Sequence, residues 1–249
     1  MTETEWLACT DPEPIMDFLL DQVSDRKCRL FACACCRRIL HLLQGVRGVE
    51  AVEVAERYAD GLGSREELRA AEQEAIKGRD EAWAAYEASG REDDSHCVAS
   101  SAAITCGWAA CQPDSYTRND DLGCRGLFAA AYAAGTMAHH TSGKGDSLHA
   151  DYKLHKAKEA CVQAVLLRDI LGNPFRPVAV APSWLAWNSS TVSRIAQAIY
   201  DERAFERMPI LADALEDSGC DNADILAHCR GDGPHVRGCW VVDLLLGKK

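Results

Sequence analysis

The stretch from His228 to Trp240 reads His-Cys-Arg-Gly-Asp-Gly-Pro-His-Val-Arg-Gly-Cys-Trp and places two imidazoles and two thiols within twelve residues. Such side chains hold borderline-soft divalent ions, and a structural zinc takes four of them in a tetrahedron. Cys229, His235 and Cys239 supply three donors, with five and three intervening residues across a loop rich in Gly and Pro. A second group of thiols lies far upstream, at Cys28, Cys33, Cys35 and Cys36. Cys36 is the expected fourth ligand. Cys33, which shares its helix face, and His228 are the alternates. A zinc held this way would staple the two ends of the chain together, and metal affinity would become folding stability. The pattern is not a zinc-finger signature, because no Cys-x-x-Cys pair is matched by a second at fixed distance. The competing reading makes Cys229 and Cys239 core residues, with His228 and His235 capping a helix end and a turn.

The same residues suggest thiol chemistry as an alternative. Arg37 and Arg38 follow Cys33-x-x-Cys36, and positive charge lowers a thiolate's pKa and favours reaction with oxidants. Redox pairs of that spacing normally open a helix after a strand, whereas this one falls in mid-helix. Copper storage requires more regularly spaced thiols than these. Hydrolytic chemistry finds no Gly-x-Ser-x-Gly elbow, no His-Glu-x-x-His helix and no glycine fingerprint after a strand. No catalytic residue is assigned, and no cofactor other than zinc is expected.

The elements that must position these residues read as helices throughout. Asp11 caps a first helix with Pro12 at its first position, where the missing N–H costs nothing. Ser24-Asp25 starts a second helix to about Leu43. It carries the upstream cysteines on a wide apolar face, with Arg29 and Arg37 outside that face. A third helix runs over residues 49–59. Ser64 and Glu67 form a capping box that opens a long helix to about Ser89. Ala-rich segments over 95–111 and 121–140 read as packed hairpin partners, and residues 147–171 as another long helix closing at Gly172. His139, His140, His149 and His155 flank the glycine turn between these last two and read as surface residues. Asn173-Pro-Phe-Arg-Pro177 forbids helix, so an extended Pro-rich segment is expected near 173–187, with Trp184 and Trp187 anchoring it. Ser190 then caps a helix, Asp221 caps a short one ending at His228-Cys229, and residues 240–246 form a last apolar helix.

The expectation is an all-α bundle of about eight to ten helices in a single domain over 1–249. Its variable Ala-rich centre spans about 91–171, and its C-terminal segment 188–249 packs on the N-terminal helices. The charge of 27 − 38 = −11 opposes non-specific binding to nucleic acid or anionic membrane. The basic run Arg26-Lys27, Arg29, Arg37-Arg38 is read as the solvated side of a helix. No segment has the length of uninterrupted apolar residues that a membrane span needs. The acidic start, Met1-Thr-Glu-Thr-Glu, lacks the basic and apolar regions of a signal peptide, so a cytoplasmic protein with mostly reduced cysteines is expected.

Four blocks look familiar together. They are Glu5-Trp-Leu-Ala-Cys-Thr-Asp-Pro12, Leu30-Phe-Ala-Cys-Ala-Cys-Cys-Arg-Arg-Ile39, Leu167-Arg-Asp-Ile-Leu-Gly-Asn-Pro-Phe-Arg-Pro177, and the run from Ala198 through His228-Cys229 to Gly238-Cys239-Trp240. They resemble a large family of bacterial hypothetical proteins that occurs in many copies per genome, and the resemblance implies no activity. The expected function is that of a non-enzymatic helical protein acting through contacts with a protein partner, with a structural zinc joining its N- and C-terminal segments. The alternative is a metal- or thiol-dependent enzyme or redox sensor built on Cys33, Cys36, Cys229, His235 and Cys239.

Overall fold

Side-chain caps set where the helices begin. The Thr2 hydroxyl accepts from Glu5 N–H at 3.3 Å while the Glu5 carboxylate accepts from Thr2 N–H at 2.7 Å. This capping box opens a short helix, α1 (Glu3–Ala8), in a stretch to which the sequence reading assigns none. The same device at Ser64 and Glu67 opens α5 as expected. In the computed structural model, which describes residues 1–19, 22–43, 47–110, 135 and 148–249, the order continues as α2 (Pro12–Leu19), α3 (Asp25–Ile39), α4 (Val49–Ala59), α5 (Arg65–Ala88) and α6 (Asp94–Ala109). Then come α7 (Leu148–Leu171), α8 (Pro182–Glu202), α9 (Met208–Asp217), α10 (Ala223–Arg230) and α11 (Trp240–Leu246). Among the described residues there is no strand, and the fold is all-α. No helix among them is long and apolar enough to cross a membrane. The expected helix over 121–140, with Cys124, His139 and His140, and the thiol of Cys111 lie outside the described residues, as does the side chain of His149.

The chain forms two compact units, Met1–Ala164 and Val165–Lys249, with the boundary inside α7. In the first, α3 is buried almost all round: Cys28, Leu30, Phe31, Cys33, Cys35, Cys36 and Ile39 are all core residues. The basic run on this helix is not a solvated face. Arg29 is 4% exposed; its guanidinium donates to the Ala109 carbonyl at 2.7 Å and lies 5.1 Å from the centre of the Tyr58 ring. Arg37 grips buried Glu56 through two bonds of 2.7 Å. Arg38 grips buried Glu159 at 2.6 and 2.8 Å. The acidic partners of these arginines are internal, because a buried carboxylate requires a paired charge. Beside α3, the Ala-rich α5 and α6 run antiparallel, Ser100 bonding to the Arg79 carbonyl and Gly107 lying on Ala75. Gly78 permits the closest approach, since a Cβ there would stand 2.5 Å from the Arg47 carbonyl oxygen.

The second unit builds its own apolar core from α8 to α11, including Val192, Ile199, Met208, Leu215, Ile225, Val241 and Val242. The extended segment is shorter than expected. Pro182 starts α8, its fixed φ suiting the first helical position, so Trp184 lies within a helix. That helix is then broken: Asn188, Ser189 and Ser190 all have left-handed φ, at 45°, 57° and 63°. Ser190 therefore belongs to this reversed turn. The break lets Trp184, Leu185 and Trp187 on one side and Val192, Ala196 and Ile199 on the other face the same core. Asn222, one residue beyond the expected Asp221, caps α10 by accepting from Ile225 N–H at 3.0 Å.

A left-handed L-residue costs about 1–2 kcal/mol, and glycine relieves it. Ser189→Gly is exposed and is expected to raise unfolding stability by about 1 kcal/mol in a urea melt; a loss of similar size would contradict the reversed turn.

Candidate metal centre

Four side chains with ligand atoms meet inside the second unit: Asp169, His228, His235 and Cys239, with donor atoms within 4.8 Å of one another. Each is delivered by a helix end or by the loop between two. Asp169 lies in the last turn of α7, which stops at Gly172 in the left-handed conformation, φ +71°. Gly172 rests flat on the first residue of α11, where a Cβ would stand 3.1 Å from Trp240 Cγ. The end of α7 is thereby brought against the start of α11. His228 occupies the last turn of α10, and Gly231 N–H bonds back to its carbonyl at 3.3 Å. Cys239 is the N-cap residue of α11: its carbonyl accepts from Asp243 N–H at 2.9 Å, and its own N–H donates to the Val236 carbonyl at 2.9 Å. His235 sits in the intervening loop.

Asp169 organises the group. Its Oδ1 lies 2.8 Å from His235 Nδ1 and 3.2 Å from His228 Nε2, while Oδ2 accepts from Val236 N–H at 3.0 Å. His228 Nε2 also lies 3.2 Å from Cys239 Sγ. The two imidazoles meet edge to face, with centroids 4.7 Å apart, and His228 packs against Trp240 at 5.2 Å. The side chains of Asp169 and His235 are 3% and 8% exposed, that of His228 18%, and Cys239 is fully buried.

Two features separate this group from a proton relay. A Cys–His–Asp nucleophile needs one imidazole nitrogen for the thiol and the other for the carboxylate. Here one atom, His228 Nε2, faces both. The second feature is His235 Nε2, which is buried and has no hydrogen-bond partner among the described residues. Buried polar atoms are nearly always satisfied, so this imidazole holds a nitrogen in reserve. A buried Asp/His/His/Cys group of this kind could bind a metal ion.

Charge in the group is unevenly tuned. Burial pushes the Asp169 carboxyl up, but hydrogen bonds and charge from His228 and His235 outweigh it, and the net shift is down. Burial, with the Asp169 charge adding to it, pushes the Cys239 thiol well up, against opposing N–H groups of Val242 and Val241. Burial also pushes the Cys229 thiol up to about 12.

Of the expected ligands, His235 and Cys239 are in the group, and so is the alternate His228. Cys229 is not one of its four donors and lies in the apolar core of the second unit. Cys36 and Cys33 belong to the first unit, where Cys36 Sγ donates to the Thr105 carbonyl at 3.4 Å and Cys33 Sγ to the Val52 carbonyl at 3.8 Å. Their thiols are pushed up: for Cys36 by a hydrogen bond with Cys106 and then by burial, for Cys33 chiefly by burial. Neither has the low-pKa character of a reactive thiolate. Asp169 is the residue that sequence reasoning missed. Its signal was an acidic side chain in the final turn of a helix, where the macrodipole favours a base, among the core residues Leu166, Leu167 and Ile170. Comparison with family models, curated proteins and solved structures finds no match for the chain.

Ligation requires Cys239 as thiolate, so metal binding must release its proton. Since that thiol stays protonated at neutral pH without metal, affinity is expected to rise about tenfold or more per pH unit from pH 6 to 8. Competition with a chelating dye at three pH values reads this, and a flat profile would remove Cys239 from the ligand set.

Proposed function

We propose that residues 165–249 form a zinc-stapled helical module and that the protein works through contacts with another protein and not by catalysis. The observation that carries the metal half is the convergence of four donor atoms within 4.8 Å of one another, with His228 Nε2 facing thiol and carboxylate together. The donor set argues for the ion. One thiolate and one carboxylate balance the two charges of a divalent cation, so the buried complex is neutral. Sulfur and nitrogen donors favour zinc over calcium or magnesium, which take oxygen. Tetrahedral zinc separates nitrogen and oxygen ligands by about 3.3 Å, close to the 3.2 Å between His228 Nε2 and Asp169 Oδ1. The 3.2 Å from His228 to Cys239 is shorter than a nitrogen–sulfur pair on zinc would be, and an ion would spread it by a few tenths of an ångström.

Four protein ligands close the coordination sphere, which marks a structural zinc; catalytic zinc keeps a position for water. The staple would join the end of α7, the end of α10 and the start of α11. A cytoplasmic, reducing setting suits the chain, since all eleven described cysteines are free thiols. A metal-dependent enzyme is the second reading, favoured by the 18% exposure of the His228 side chain, the edge at which a position could open.

Protein purified under reducing conditions is expected to carry one zinc per chain, and chelation should lower the unfolding temperature of the second unit. Asp169→Asn and His235→Gln should each lose metal at least tenfold more readily. Cobalt-loaded protein should keep its tetrahedral absorption unchanged when azide is added. Absence of metal would overturn the centre, whereas a spectrum that shifts with azide would favour the enzyme.

A further inference from the structure

The loop that delivers His235 and Cys239 has little regular structure to hold it. Cys239 N–H closes a turn onto the Val236 carbonyl, and Gly238 takes φ +95°, open only to glycine without strain. Arg237 lies midway, two residues from each of the two ligands. Its guanidinium carbon stands 4.6 Å from the centre of the Tyr200 ring, and Lys248 Nζ stands 4.4 Å from the same centre. Tyr200 belongs to α8 and is 1% exposed within the apolar core. Arg237 precedes α11 and Lys248 follows it. One buried ring therefore ties down both flanks of the short helix whose N-cap is Cys239.

From this arrangement we infer that Tyr200 and Arg237 are positioning residues for the metal centre. Tyr200 is not one of the four donors; it holds Arg237, and Arg237 fixes the register of the loop between two donors. The inference rests on the metal reading of Asp169, His228, His235 and Cys239. Its physical basis is the attraction of a cation to the ring face, which strengthens when the ring is desolvated. A loop fixed beforehand loses less entropy when the ion binds, so the contact should favour retention of metal. Arginine suits the role because its planar guanidinium stacks on an aromatic face.

The test is cobalt(II) binding to the full chain, followed by absorption and by competition with a chelator. Arg237→Met should weaken binding roughly three- to thirtyfold and speed metal release, because the ring contact is lost while side-chain length is kept. Arg237→Lys should recover most of that loss, and Tyr200→Phe, which keeps the ring, should bind as wild type does. Metal-free Arg237→Met should still unfold cooperatively, at most slightly below metal-free wild type, so that the weakened binding is read on a folded protein. If wild type binds cobalt and Arg237→Met binds it equally well, the positioning role is overturned and the metal centre stands. If Lys and Met are equally damaging, charge over the ring is not the agent and the inference also fails. Wild type that takes up no cobalt removes the centre itself.

Discussion

The buried carboxylate of Asp169 is the constraint on which the second unit's centre depends. It takes up contacts from His235, His228 and the Val236 backbone, and so ties the last turn of α7 to a loop 66 residues further along the chain. A carboxylate this deep is tolerable only with charge or strong donors around it. Burial opposes its ionised form, and the two imidazoles restore it. Everything else in the centre follows from where that carboxylate sits. Gly172 lets α7 stop flat against Trp240, Trp240 packs on His228, and Cys239 caps the helix that Trp240 begins.

The two units handle their polar residues differently. Among the described residues of the first, arginines of α3 meet strong partners: Arg37 and Arg38 each meet a carboxylate in two-point contact, and Arg29 finds a backbone carbonyl and a ring. Cys33 and Cys36 behave there as small apolar residues with weak S–H donors turned to backbone carbonyls. In the second, polar atoms converge without all being satisfied, and a buried imidazole nitrogen lacks a partner among the described residues. That contrast, more than the presence of Cys and His, separates a core rich in thiols from a group suited to an ion.

Much of the helical architecture was legible from local signals. Caps at Asp11, Ser24 and Ser64 and the stop at Gly172 act within a few residues, so composition and spacing report them directly. His235 and Cys239 were legible for the same reason, lying close together around a turn. Asp169 was not, because the sequence separation between it and His235 is bridged only by tertiary packing. Cys36 attracted the fourth place because thiols are conspicuous, and nothing local says that its face turns to Thr105. The reversed turn at Asn188 to Ser190 was equally hidden, since no glycine marks it and its cause is the shared core that Trp184 and Val192 both reach.

A centre built on one thiolate, two imidazoles and one carboxylate has a defined scattering signature. X-ray absorption at the zinc edge of the zinc-loaded protein reads the ligand set without reference to activity. The account predicts one sulfur at about 2.3 Å and three nitrogen or oxygen neighbours at about 2.0–2.2 Å. Two or more sulfur neighbours would put Cys229 or another thiol on the ion and contradict the role given to Asp169. A six-coordinate shell of oxygen alone would show that the ion binds elsewhere.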